Sequence, residues 1–545
     1  MRSPGWRNKG WRAGALAAVG SVVLAAWPAS GVLVKVALQP YIVEAPASTV
    51  NAVIAANGGV GQVVLALPLV NGVLANLSSA EVSQLSVNYL VSPDAKVLTS
   101  MLPAKGGPPP PPPPPRQLDN VFPQLTGAST AIANGNSGQG VGVAVIDTGI
   151  ADLPDFAGRL RPGVDFTTEN NAHLDSYGHG TFVAGLIAGN GASSAQVYVG
   201  EAPGATLVPV KVAGKSGSTT VSTLIRALQW IKDDTTDNIH VINMSVGAIP
   251  SGPTALNPLD QAVETLWHAG YVVVTSAGNN GPYRGTVTSP GDDPLVITVG
   301  ALDDKGTPTP GDDTVPSFSS NGPTSWDAWW KPDLVAPGKS VVSVTSTRSY
   351  IWNTFKSARV GTANFVGSGT SFAAAVTSGA AAMLFVDNSA ATPDNVKAAL
   401  LTTTNAGPGP PQDPFQQGHG VLDVARAIDE PVLSIVQDVS SVPVPVAGGP
   451  QIPLLSTQVV STWATVDVAE QLLYPAPYPF PYTGPATTAL DPVSFTPLFQ
   501  SSAWNSSAWN SSAWNSSAWN SSAWNSSGWN SSAWNSSAWN SSAWN

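Results

Sequence analysis

A histidine stands between two glycines in YGHGTFVAG (177–185), ahead of a run of small apolar residues. It is His179, one of five histidines in 545 residues. Imidazole is the side chain best suited to moving protons near neutral pH, although a lone histidine in such a turn also reads as a structural residue at a helix start. Asp147 ends the apolar run VGVAVID (141–147) and is followed by Thr148 and Gly149. Aspartic peptidases use the same DTG triplet, but they need two carboxylates sharing a proton, and the chain holds no second DTG. Ser371, in GSGTSFAAA (367–375), sits where a glycine-rich loop enters an alanine-rich helical pattern. A serine there is either a helix N-cap or a nucleophile on a tight turn, with the first helical N–H groups facing a substrate. Asn279, in SAGNNG (276–281), closes an apolar run. It reads as a turn asparagine or as a side-chain donor aimed at a developing oxyanion.

These residues need a frame to bring them together. From about 119 to 430, continuous apolar runs alternate with helical patterns. VGVAVID, ATLVPVKV (205–212), HVINMSV (240–246), YVVVTSAG (271–278) and PLVITVGA (294–301) predict strands buried on both faces. TTVSTLIRALQWIKDD (219–234) and NPLDQAVETLWHAG (257–270) predict helices, the second with Asn257 as cap, Pro258 at its first position and Gly270 past its end. The alternation implies an α/β fold with a mostly parallel central sheet and helices on both faces. Such sheets place their chemistry in loops at the carboxyl ends of strands, which is where Asp147 and Asn279 fall.

The flanking segments differ in texture. Residues 1–30 begin with Arg2, Arg7, Lys9 and Arg12, continue with AGALAAVGSVVLAAW (13–27) and end in small residues, the pattern of a secretory signal. Residues 31–105 predict a small α+β domain: a strand at YIVEA, a helix at ASTVNAVIAANGG, a strand pair in QVVLALPLVNGVLANL, and a helix capped by Ser78 or Ser79 with Glu81 in its first turn. A linker over 106–118 contains eight consecutive prolines, Pro108 to Pro115, a stiff spacer of about 3.1 Å per residue. After the block 119–430 come a proline-rich segment, 431–500, and nine SSAWN-type pentapeptides, 501–545, one of them SSGWN. The pentapeptides read as a low-complexity extension, as a multivalent array of tryptophans for a cell surface or glycan, or as a regular solenoid of stacked turns.

The formal charge is −11 with no basic patch beyond the first dozen residues, which excludes a nucleic-acid partner. Cysteine is absent, so thiol catalysis, thiolate metal sites and disulfides are excluded.

Asp147, His179 and Ser371 follow the chain order Asp…His…Ser, which is that of subtilisin. The segments VIDTGI, YGHGTFVAG, SAGNNG and GTSFAAA each resemble that family, as do EAPGATLVPVKV, INMSVG, SPGDDPLVITVGA, FSSNGP and DLVAPG. Over about 119–430 the chain therefore resembles a subtilisin-like serine peptidase, a subtilase, with a three-layer fold. The resemblance implies a secreted endopeptidase acting on proteins and peptides. Ser371 would be its nucleophile, His179 its base, Asp147 the group that orients His179, and Asn279 an oxyanion donor with the Ser371 N–H. It implies a substrate strand laid beside Gly217–Ser218 and Ser245–Val246–Gly247, with Thr288 in the wall of the first pocket. It further implies that 31–105 is an inhibitory prodomain, so that the enzyme is a zymogen. The two glycines beside His179 would keep side-chain bulk away from the substrate. Phe182 stands where the family usually has a second histidine, and Ala375 where it commonly has proline, which puts the packing of both helices in question. No cofactor is implied for catalysis. Calcium loops of the family do not match, and Asp155 is a candidate ligand that equally reads as a turn residue. The competing reading is an inactive surface or adhesion protein that keeps the subtilase shell and acts through its tail. Against it, all four site residues are present.

Overall fold

Alternating apolar residues and a capping box organise the smaller of two compact units. The computed structural model describes residues 37–98, 120–406 and 413–429. The signal-like segment, the proline tract and both C-terminal segments lie outside the described residues. In the smaller unit, which closes at Pro93 and omits Leu67–Val70, strands β1 (Gln39–Val43), β2 (Gln62–Leu67), β3 (Gly72–Leu77) and β4 (Val91–Pro93) lie in the order β2-β3-β1-β4. Helices α1 (Ala47–Ala56) and α2 (Ser79–Leu85) supply Val50, Ile54 and Leu85 to a core shared with Val43, Val73 and Leu77. Of the two candidate caps, Ser78 is the one used. Its Oγ accepts from Glu81 N–H at 3.4 Å while its own N–H donates to Glu81 Oε2 at 2.7 Å.

The larger unit runs from Asp94 onward and includes Leu67–Val70. Its short first strand, β5 (Lys96–Leu98), pairs antiparallel with β9 (Ser218–Thr220), Leu98 opposite Ser218. The main sheet joins β6 (Gly142–Asp147), β7 (Val164–Asp165), β8 (Thr206–Lys211), β10 (Ile239–Met244), β11 (Val272–Ser276), β12 (Ile297–Leu302) and β13 (Leu334–Pro337). Their order is β13-β12-β11-β10-β6-β8-β7, and the pairings are parallel. The α/β architecture is thus the one expected from the sequence. From β6 the chain runs to the edge strand β7, returns to β8 between them, then crosses to β10 on the other side of β6. The crevice at such a reversal is where α/β sheets bind ligands.

Helix α3 (His179–Ala188) is buried along its whole length. Helix α4 (Val221–Asp233) is amphipathic: Val221, Leu224, Ile225, Leu228 and Ile231 are buried at helical spacing, and Thr220 caps it. Helix α5 (Pro258–His268) starts as expected, with Asn257 Oδ1 accepting from Leu259 N–H at 3.0 Å. Helix α6 (Thr370–Asp387) packs on β10, β11, β12 and β13 and on α3. Small residues such as Ala373, Ala374 and Ala380 are fully buried along it, so a helix can lie close against a sheet and a second helix at once. Ala375 is inside this helix, which runs unbroken; alanine keeps the backbone N–H that proline would remove.

Candidate active site

The carboxyl ends of the strands bring the four residues together. Asp147 is the last residue of β6, His179 the first of α3, Asn279 follows β11, and Ser371 is the second residue of α6. Asp147 and His179 are buried, and His179 Nδ1 lies 2.8 Å from both Oδ1 and Oδ2 of Asp147. A carboxylate only accepts, so Nδ1 carries the hydrogen of this bond and Nε2 is the basic nitrogen. Asp147 Oδ1 also accepts from the Thr148 N–H at 2.7 Å, which fixes the carboxylate plane.

Ser371 is tied to the same place. Its neighbour Phe372 lays its ring against the His179 ring, with centroids 5.5 Å apart. Phe182, the departure noted in the sequence, packs on that same Phe372 at 4.5 Å. The aromatic pair joins α3 to α6 and backs the imidazole, which accounts for a phenylalanine where a second histidine was expected. The Ser371 hydroxyl donates to Ser245 O at 3.4 Å, and Ser245 Oγ donates to Ser371 O at 2.9 Å. Asn243 Nδ2 donates to Ser245 Oγ at 3.0 Å and holds that hydroxyl from behind.

Asn279 is oriented by the residue ahead of Ser371. Its Oδ1 accepts from the Thr370 N–H at 2.9 Å and from Thr370 Oγ1 at 3.1 Å. The Nδ2 end of the amide therefore points away from Thr370. Thr370 Oγ1 accepts in turn from Gly278 N–H at 3.1 Å, so the turn after β11 and the start of α6 are closed on each other.

The remaining sequence candidates fall into two groups. Ser218 lies in β9 next to Gly217, whose positive φ of 63° leaves its backbone against the Tyr177 ring. Ser245, Val246 and Gly247 follow β10, and Thr288 packs against the bare backbone of Gly247 and Gly278. Asp155 engages both carboxylate oxygens with Ser193, through its N–H at 3.3 Å and its hydroxyl. Among the described residues no group of three or more His, Cys, Asp or Glu is arranged to hold a metal ion.

The glycines around His179 also answer to the fold itself. Gly178 adopts a φ of 107°, and a Cβ there would lie 2.5 Å from Ser349 Oγ and 2.6 Å from Ile351 Cγ1. A Cβ on Gly180 would collide with the Gly149 carbonyl. Gly180 clears the backbone that follows β6, so that α3 can approach it, and Gly178 clears the side chains of Ser349 and Ile351. Sequence reading missed Asp175, which joins these two segments, and the strand β5 on the edge of β9. Asp175 carried a weak signal, an acid ahead of a glycine-flanked histidine; β5, only Lys96–Leu98, carried none.

Comparison with known proteins agrees with this geometry. Residues 138–420 match the model of the Subtilase family. The chain is 38% identical over 364 residues to serine protease AprX of Bacillus subtilis (strain 168), covering 65% of this chain and 79% of that protein. It is 34% identical over 310 residues to subtilisin DY of Bacillus licheniformis, covering 56% of this chain and 96% of the relative. Among solved structures, fervidolysin from Fervidobacterium pennivorans, a keratinolytic enzyme related to subtilisin, superposes with a TM-score of 0.57 at 22% identity. That superposition covers 76% of this chain and 64% of the other, and it is a likeness of fold.

Proposed function

The chain belongs to the subtilase family of serine proteases, and from that premise we propose a secreted endopeptidase, made as a zymogen, in which Asp147, His179 and Ser371 are the catalytic set. The observation that carries the reading is the buried Nδ1–carboxylate bond at 2.8 Å, beside the start of the helix that bears Ser371. Ser371 Oγ attacks the peptide carbonyl as His179 Nε2 takes its proton. The carbonyl oxygen, now negative, is held by Asn279 Nδ2 and the Ser371 N–H. His179 passes the proton to the leaving amine, and the acyl group stays on Ser371. Water, deprotonated by the same nitrogen, then releases it. Asp147 keeps the imidazole in one tautomer and stabilises its charged form. These steps run on the chain's own groups.

Substrate binds as an added strand along β9 and Ser245–Gly247, with backbone hydrogen bonds supplying affinity. The zymogen reading is supported by the residues that occupy one of these edges in the intact chain. Lys96–Leu98 pairs with Ser218–Thr220, and Asp94 accepts from Ser222 N–H at 2.8 Å and Ser222 Oγ at 2.7 Å. Burial raises the Asp94 pKa, and its bonds to Ser222 offset part of that. A substrate strand and 96–98 compete for one edge, so 31–105 acts as an inhibitor until it is cut away. Secretion rests on the N-terminal pattern, and contact of the tail with a surface or glycan rests on its repeated tryptophans.

One experiment tests the set. A serine-directed fluorophosphonate should label Ser371 alone, and Ser371→Ala should abolish hydrolysis of a short peptide while the secreted protein accumulates with its N-terminal block attached. Label on another residue, or wild-type turnover in the variant, would refute the assignment. Normal processing of the inactive variant would remove the self-cleavage step only.

A further inference from the structure

The carboxylate of Asp175 is buried just ahead of α3 and joins the two segments that carry Asp147 and His179. Its Oδ1 accepts from Thr148 Oγ1 at 2.8 Å and from Gly178 N–H at 2.6 Å. Its Oδ2 accepts from Thr181 N–H at 2.8 Å and from Thr181 Oγ1 at 2.6 Å. The two threonines sit on opposite segments. Thr148 follows Asp147 at the end of β6, and Thr181 is in the first turn of α3. Each hydroxyl also accepts from the backbone of the other segment: Thr148 Oγ1 from Gly180 N–H at 2.9 Å, Thr181 Oγ1 from Ala151 N–H at 3.0 Å. A hydroxyl has one hydrogen to give, so donating it to Asp175 leaves its lone pairs for the backbone across the gap. The result is a clasp closed from both sides on one carboxylate.

We infer that Asp175 is a positioning residue for the reaction: through Thr148 and Thr181 it fixes the separation and angle at which Asp147 meets His179. The inference rests on the roles proposed above for those two residues and Ser371.

The choice of residue type supports a demand for geometry. The four donors to Asp175 are neutral, and burial pushes its carboxyl upward while these bonds offset only part of the effect. A buried anion without a cation costs free energy that a neutral side chain of the same shape would avoid. What only the carboxylate supplies is two oxygens that both accept and never donate. An asparagine would fill the same volume, but its NH2 would face either the Gly178 or the Thr181 N–H, donor against donor. One side of the clasp would open with no cavity left behind. The close passage of Gly180 over the Gly149 carbonyl means that the two backbones have little room to slide without moving the imidazole.

The test uses the full-length protein and its variants Asp175→Asn, Thr148→Val and Thr148→Ser. Three quantities are compared: kcat and KM on a short peptide, fluorophosphonate labelling of Ser371, and the His179 Nδ1–H resonance in protein labelled with 15N-histidine. With five histidines in the chain that spectrum is sparse. Asp175→Asn should lower kcat roughly 10- to 100-fold with KM within about twofold, since misplacing reacting groups costs rate while the substrate edges at β9 and Ser245–Gly247 are untouched. The Nδ1–H resonance should move upfield as its bond to Asp147 weakens. Thr148→Val should act in the same direction, Thr148→Ser should recover most of the loss, and the Asp175→Asn/Thr148→Val pair should lose little more than the worse single variant. Wild-type kcat and an unshifted resonance in a folded Asp175→Asn protein would overturn the inference. If that variant does not fold, equal kcat in the valine and serine variants of Thr148 overturns it instead. Failure of Ser371 to label in the wild-type protein is a separate result: it removes the proposed catalytic set itself.

Discussion

At the scale of single residues, hydrogen-bond direction assigns roles that residue type leaves open. Asn279 in a turn could be a cap, a loop residue or a donor. Two hydrogen bonds from Thr370 to its Oδ1 decide the orientation of the amide, and with it which end can meet a substrate oxygen. Thr370 directly precedes Ser371, so the proposed donor and the proposed nucleophile are registered to each other through one residue. Asn279→Ala should therefore lower kcat about 100- to 1,000-fold, the cost of losing one such donor in a subtilisin, a relative of this chain, while KM stays within about twofold. Steady-state kinetics on a short peptide measures both, and an unchanged kcat would remove Asn279 from the oxyanion site. The four candidate residues were legible in the sequence because each lies in a turn where glycine stands near a polar residue. The fold's own reason for the glycines was not legible. The segments they must avoid, around Gly149 and Ser349, lie far away in the chain.

At the scale of elements, legibility follows length and burial. Strands such as Gly142–Asp147 and Val272–Ser276 are buried on both faces and read as apolar runs; α4 and α5 announce themselves by period and cap. The β5 strand does not, because its stability comes from an edge supplied by β9 and not from its own pattern. Nor does the Phe182–Phe372 pair, which is a property of two helices meeting and not of either one. A different conflict sits just ahead of β8. Glu201 is wholly buried, neither oxygen has a hydrogen-bond partner among the described residues, and burial pushes its pKa up to about 8. In the unfolded chain a glutamate titrates near 4.3. Between those values the folded state holds a proton that the unfolded state has released, so stability falls as pH rises from about 4.5 to about 8. At about 1.36 kcal/mol per pKa unit the loss is on the order of 5 kcal/mol above that window. Glu201→Gln, which cannot ionise, should raise Tm at pH 8.5 by several degrees or more and change it little at pH 5. Calorimetry of the inactive Ser371→Ala protein at the two pH values avoids self-digestion. An equal Tm shift at both would mean that the gain came from packing and not from the charge.

At the scale of the whole molecule, the proposed catalytic groups and substrate edges all lie within the family match. The hydrogen bonds and ring contacts given above for the site all run between described residues, and 501–545 lies outside these. That stretch carries nine of the nineteen tryptophans, one per pentapeptide, and no Asp, Glu, Lys, Arg or His. Its side chains therefore offer no acid, base or charge to the reaction. A period of five matches neither the strand period of two nor the helical 3.6, so a simple strand or helix would not line the indoles on one face. What repetition does supply is valency. A single indole on a glycan or an insoluble substrate binds weakly, but nine on one chain raise the effective concentration of each for its neighbours. Deleting 501–545 should therefore separate two properties. On a short soluble peptide kcat/KM should stay within about twofold of the full-length value. On whole cells or a particulate substrate the truncated enzyme should move from the bound to the soluble fraction, and hydrolysis of that substrate should slow while peptide turnover does not. Sedimentation followed by a peptide assay of pellet and supernatant reads both at once. Loss of soluble-peptide activity would show that the repeats belong to the catalytic fold, and identical partitioning of the two forms would rule out a binding role for the array.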